Sequence, residues 1–159
     1  MPATVPMLHV LNETGELPAL NGTAFALTPA LRESYATGSA EELEYVAMMD
    51  AARASLRLIA ADQEASPRRV VISADLDDVT FRPDLDHSVV RVAVPIPMKV
   101  VASVHMDAPE AEPAVRAAVA VVDAADLGDS DAEFTLGDAE DHDMAWYAPQ
   151  ELPFLLELM

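Results

Sequence analysis

Four histidines and 28 acidic residues are the groups with which this chain of 159 residues could do chemistry. Three places bring them together. His105 and Asp107 alternate along a β-branched run, so both fall on one side of a strand near its end. There a carboxylate could orient an imidazole for general-base work. Asp141, His142 and Asp143 supply two more carboxylates and a second imidazole. With His105 and Asp107 they make the most concrete catalytic candidate, the site of a small metal-dependent hydrolase. Asp84, Asp86 and His87 form the third group. Its oxygens suit Mg²⁺, Mn²⁺ or Ca²⁺, and its imidazole would suit zinc or iron.

None of these groups has a ligand spacing with a known mechanism. There is no His-Glu-x-x-His pair and no Asp-x-Asp-x-Asp-Gly loop. The plain reading of His105 and Asp107 is a half-buried strand residue followed by a helix cap. For the other two groups it is a solvated acidic loop, and His9 reads as a surface residue. The five glycines are scattered, so there is no phosphate-binding loop, and no Gly-x-Ser-x-Gly elbow occurs. Cysteine is absent, which excludes disulfides, thiolate metal sites and cysteine nucleophiles. The basic side chains that could clamp an anion are Arg68–Arg69 and the helical strip Arg53/Arg57. No cofactor is predicted, and a divalent metal is the alternative.

Nine basic residues against 28 acidic ones leave a net charge of −19. Between Asp107 and Asp143 there are twelve acids and one base, Arg116. Such a field repels phosphate backbones and anionic lipids, so direct binding of nucleic acid or membrane is not expected. It attracts a basic protein, or it mimics nucleic acid if carboxylates line up like phosphates. Trp146 and Tyr147, close behind Asp141 and Asp143, are the interaction candidates, because Trp and Tyr are enriched in binding hot spots. The plain alternative is a strand that packs the indole on the core and exposes the phenol. No apolar run reaches the roughly 18 residues that span a bilayer, and no signal peptide is seen, which favours the cytoplasm.

The elements that must position these groups are read from caps and periodicity. Ser39 with Glu42 is a capping box, and no Gly or Pro follows before Ala61. Residues 40–61 are therefore a long central helix. Its faces are apolar except for the strip Asp50, Arg53 and Arg57, where Asp50 and Arg53 are spaced as an i,i+3 surface pair. Thr4 caps a helix that Gly15 stops, and Thr28–Pro29 opens another that ends by Gly38. Pro18 and Asn21–Gly22 mark a loop. Strands are expected at 23–27, 68–74, 89–94, 101–106 and 144–148, with 79–81 continuing the second or standing alone. Asp107 with Glu110 would cap a helix to about residue 125, 129–143 reads as an acidic loop in which Phe134 and Leu136 could add one strand, and a short helix follows Pro149. The expectation is one α+β domain over 1–159, a single mixed sheet of four to five strands packed with helices.

Several segments are familiar together: Pro2-Ala3-Thr4-Val5-Pro6-Met7-Leu8, Thr28-Pro29-Ala30-Leu31-Arg32, Glu41-Glu42-Leu43-Glu44-Tyr45, Asp123-Ala124-Ala125-Asp126-Leu127-Gly128 and Trp146-Tyr147-Ala148. Over most of its length the chain resembles an uncharacterised family of small acidic actinobacterial proteins, a domain of unknown function. The resemblance implies a short strand just before the Pro-Ala-Thr segment, and with the sequence starting at Met1-Pro2 that strand is expected to be missing here. It implies no activity and no catalytic residues. The leading expectation is a non-enzymatic interaction or regulatory module that binds a basic partner, compatible with a homo-oligomer. The metal-dependent hydrolase and the nucleic-acid mimic are the alternatives.

Overall fold

The computed structural model describes residues 1–17, 22–93 and 95–159. The predicted turn at Pro18 and Asn21 and the last residue of the predicted strand 89–94 lie outside them. The chain opens with β1 (Pro2–Ala3) and α1 (Val5–Thr14). The Thr4 hydroxyl accepts from the Met7 N–H to start this helix, and Gly15 at φ 78° ends it in the left-handed region that glycine reaches freely. β2 (Glu16–Leu17), β3 (Thr23–Phe25) and α2 (Pro29–Ser34) follow, with Thr28 capping α2. The long helix α3 (Ala40–Ala61) starts where Ser39 Oγ accepts from the Glu42 N–H. The Glu42 carboxylate takes the Ser39 hydroxyl at 3.3 Å.

Next come β4 (Val70–Ala74), β5 (Val79–Phe81), β6 (Val89–Val92), β7 (Ile96–Pro97) and β8 (Val101–Asp107). The chain closes with α4 (Glu112–Asp126), α5 (Ser130–Glu140), β9 (Met144–Tyr147) and α6 (Leu152–Glu157). The mixture of helix and strand fits the α+β class. The single sheet does not hold. Three antiparallel sheets replace it among the described residues, ordered β1-β4-β8-β9, β2-β7 and β3-β6-β5. The break lies after β4. A bulge at Ser73/Ala74 and the acidic turn that follows send Val79–Phe81 away from β4 and onto β6. At the first sheet's edge, Pro2 and Ala3 pair with Val71 and Val70. Met1 carries this pairing one residue further, exchanging backbone bonds with Ile72.

Two other expectations are corrected. Asp107 does not cap a helix; it ends β8, and a 3₁₀ turn at Pro109–Ala111 leads into α4. Residues 130–140 are a helix, not a loop. The Asp129 carboxylate accepts from the Ala132 N–H, acids fill the first turn, and Ala132, Leu136 and Ala139 bury one stripe against α4.

The core has two parts. Alternate residues of β4 and β8 (Val70, Ile72, Val104, Met106) meet Leu8 and Leu11 of α1 and Leu152 of α6. The second part joins Leu56 and Ile59 of α3 to Val115, Ala118 and Val122 of α4 and to Leu136 of α5. Burying each of the Val, Leu, Ile and Met side chains among them contributes about 1.5–3 kcal/mol. α3 links the two parts, since its Ala51 and Ala52 pack on Val71. Ser55 strengthens the link. It is buried, donates 2.7 Å to the Ala3 carbonyl and accepts 3.0 Å from the Val70 N–H. One hydroxyl thus completes the ladder where β1 and β4 part.

Ser55→Ala opens both backbone groups in a dry site. The expected loss is about 1–3 kcal/mol of unfolding free energy, read from the urea midpoint at unchanged slope. A loss under about 0.5 kcal/mol would show that the bridge is dispensable.

Candidate functional site

Asp107 is the residue on which the hydrolase reading depends, and its surroundings decide what it can do. Arg69 stands just before β4, and the register of β4 with β8 brings it beside Asp107. Arg69 Nε donates to Asp107 Oδ2 at 2.8 Å and Nη2 donates to Oδ1 at 2.7 Å. The Arg69 backbone N–H adds a bond to Oδ2 at 2.7 Å, and the Asp107 N–H returns one to the Arg69 carbonyl at 3.1 Å. Both side chains are almost fully buried, at 1% and 0% exposure. Nη2 also donates to the His142 carbonyl at 2.9 Å, which ties the start of β9 to the same guanidinium. Every face of the carboxylate that could take a proton from a substrate is occupied or sealed.

His105 lies two residues away on the same side of β8, half-buried. Its Nε2 is 3.1 Å from Ser103 Oγ and 3.5 Å from Ser73 Oγ. Burial pushes its pKa below the ordinary histidine value, with a smaller contribution from the Met1 amine. The ring is therefore mainly neutral at pH 7. Its hydrogen-bond partners among the described residues are hydroxyls, and none of them is a carboxylate that would orient the ring. The pair read from the spacing is split: Asp107 serves Arg69, and His105 sits between serines.

Across β9, His105 faces Trp146 and Asp107 faces Met144. Trp146 is 61% exposed, while Tyr147 packs against the core on the opposite face. This reverses the plain alternative, in which the indole is covered and the phenol exposed. Asp141 and Asp143 are exposed just before the strand, and His142 is half-buried between them. The register thus sets Trp146 of the edge strand β9 opposite His105 of β8, with Asp141 and Asp143 just before β9 in the chain.

Asp84, Asp86 and His87 lie apart from that edge, in the exposed turn between β5 and β6. Asp84 is held by Arg82 at 2.9 and 2.8 Å, which keeps its carboxyl below the usual range. Asp86 accepts from the His87 N–H, and the His87 carbonyl accepts from Thr28 Oγ1. Among the described residues no three His, Asp or Glu side chains gather so as to hold a metal ion.

The Asp50/Arg53/Arg57 strip was legible as polar, but its setting was not. It lines a cleft of about 470 Å³ together with Asp86, Asp126 and Glu133. Arg53 pairs with Asp126 and Glu133 at 3.0 and 2.7 Å, and Arg57 pairs with Asp126 at 2.6 Å. The arginines thus clamp α3 to α4 and α5, and Arg53 turns to these acids instead of to Asp50. Hydrogen bonds from Arg57 and then Arg53 lower the Asp126 pKa, and Arg53 lowers that of Glu133. Asp50 instead accepts from the buried Ser88 hydroxyl at 2.7 Å, and burial raises its pKa.

Fold and site together describe an α+β protein whose basic residues largely serve internal carboxylates. The chain belongs to a family of unknown function, DUF6912, whose model matches residues 1–156. No curated protein and no solved structure matches it.

Arg69→Met leaves a buried carboxylate without its cation, and so is expected to destabilise by about 3–5 kcal/mol. Arg69→Met with Asp107→Leu should recover most of that loss in thermal unfolding; recovery of none would mean that the ion pair itself is required. Asp50 titrates in the opposite sense to the paired acids. Its folded pKa is raised, so its charge is penalised at pH 7 and the penalty fades as pH falls below the carboxylate range. Asp50→Asn should be more stable than the parent at pH 7 and equal to it in acid. Equal stability at both pH values would contradict the assignment.

Proposed function

We propose that this chain is a cytoplasmic, non-enzymatic interaction module whose acidic face meets a basic protein. The observation that carries the reading is the exposed indole of Trp146 on a strand that directly follows the exposed Asp141 and Asp143. An aromatic anchor next to fixed negative charge suits a partner rich in arginine, which can stack on the ring and pair with the acids. Internal pairing supports it too. Arg53, Arg57, Arg68, Arg69 and Arg82 each hold a carboxylate of the same chain, which leaves the surplus acids facing outward. The metal-dependent hydrolase finds less support, since Asp107 is sealed by Arg69 and the cleft arginines are already matched.

The partner chemistry is testable with arginine-rich peptides of about fifteen residues, read through the fluorescence of the single tryptophan. Saturable binding that weakens with added salt is expected, and Trp146→Ala should lose about tenfold or more in affinity by calorimetry. Unchanged binding by Trp146→Ala, or binding insensitive to salt, would overturn the reading.

A further inference from the structure

The β8–β9 register sets His105 directly opposite Trp146. Residues paired in this way share one face of the sheet, with Cβ atoms about 4.5–5.5 Å apart. Trp146 is the exposed member and His105 the half-buried one. Ser73 and Ser103 are also paired, across β4 and β8, and both bring a hydroxyl to His105 Nε2, at 3.5 and 3.1 Å. A hydroxyl donates as readily as it accepts. The same two serines therefore serve the ring whether or not Nε2 carries a proton, and a gained proton strands no hydrogen-bonding group there.

The elements around the ring bring little charge to it. On β4 the facing residues are Val71, paired with His105, and Ser73. α3 reaches this face through Ala51 and Ala52, which pack on Val71. Further along β8, Asp107 is closed on Arg69. Ahead of β9 stand His142 and the exposed Asp141 and Asp143. The Met1 amine is the charge that lowers the His105 pKa, after burial itself, and burial pushes that amine down to about 5. The imidazole is therefore mainly neutral at pH 7 and gains its charge on acidification, in a range where carboxylates ordinarily keep theirs. That charge arises one cross-strand step from the indole.

We propose that His105 is a pH switch on the Trp146 surface, and that its protonation releases a basic partner which the surface holds at neutral pH. The switch rests on the role of Trp146 as the anchor for an arginine-rich partner. The face of an indole attracts a cation through its quadrupole. An imidazolium across the strand pair draws on the same ring and repels an incoming guanidinium at short range. Neutral His105 does neither. The coupling is reciprocal. A bound basic partner therefore lowers the proton affinity of His105 by the same factor by which protonation weakens binding.

The test uses the full chain and an arginine-rich peptide of about fifteen residues, with calorimetry at about pH 7.5 and about pH 5. On acidification the parent is expected to lose at least about threefold more affinity than His105→Gln, which keeps a hydrogen-bonding side chain but cannot take the charge. His142→Gln should behave like the parent. A second readout needs no variant: the His105 imidazole titration, followed by NMR in the parent, should move about half a pH unit or more to lower pH when the peptide is bound. The same pH dependence in parent and His105→Gln, its loss in His142→Gln, or a His105 titration that the peptide leaves in place overturns the switch. Each of these outcomes leaves the acidic-face reading standing as long as the peptide binds at pH 7.5. No binding of the peptide at pH 7.5 overturns both.

Discussion

The buried Arg69–Asp107 ion pair is the constraint around which the first sheet is arranged. Two charges are removed from water, and this is tolerable only because Nε, Nη2 and both carboxylate oxygens find partners. The partners come from three strands: backbone groups of Arg69 before β4, the carboxylate at the end of β8, and the His142 carbonyl ahead of β9. The order β4-β8-β9 and the entry of β9 from α5 are thereby fixed together. Ser55 does the same on the other side of β4, where a hydroxyl from α3 completes the join with β1.

That commitment decides what the sheet can do. A carboxylate that serves a guanidinium in a dry site is not available as a base, so His105 remains a neutral imidazole among serines. The cleft beside α3 follows the same logic, since Arg53 and Arg57 face acids of α4 and α5 and hold the two halves of the core together. With so much of its positive charge directed inward, the molecule shows solvent a negative surface and one exposed indole.

Much of this was legible along the chain and some was not. The starts of α1, α2 and α3 follow from Thr4, Thr28 and Ser39, each a hydroxyl that accepts from a nearby N–H. Strands β4, β8 and β9 follow from their β-branched and aromatic runs. Helix α5 was hidden because only Ala132, Leu136 and Ala139 mark its buried stripe amid many acids. Sheet membership was hidden because pairing joins residues far apart, and the turn after β4 reads equally as a pause or a break. The ion pair joins positions 38 apart and leaves no local trace beyond a lone arginine before an apolar strand and an aspartate after another. Ser55 looks like one polar residue on an alanine-rich helix, and only the backbone groups it meets reveal its task.

The central claim is that Arg69 is locked in the interior as a structural cation. The most direct measurement is hydrogen exchange of its Nε–H by NMR in the native protein. The account predicts exchange as slow as the slowest core amides of β4 and β8, released only by global unfolding. Exchange on the timescale of a solvent-exposed guanidinium would contradict it, and would return Asp107 to the list of groups available for chemistry.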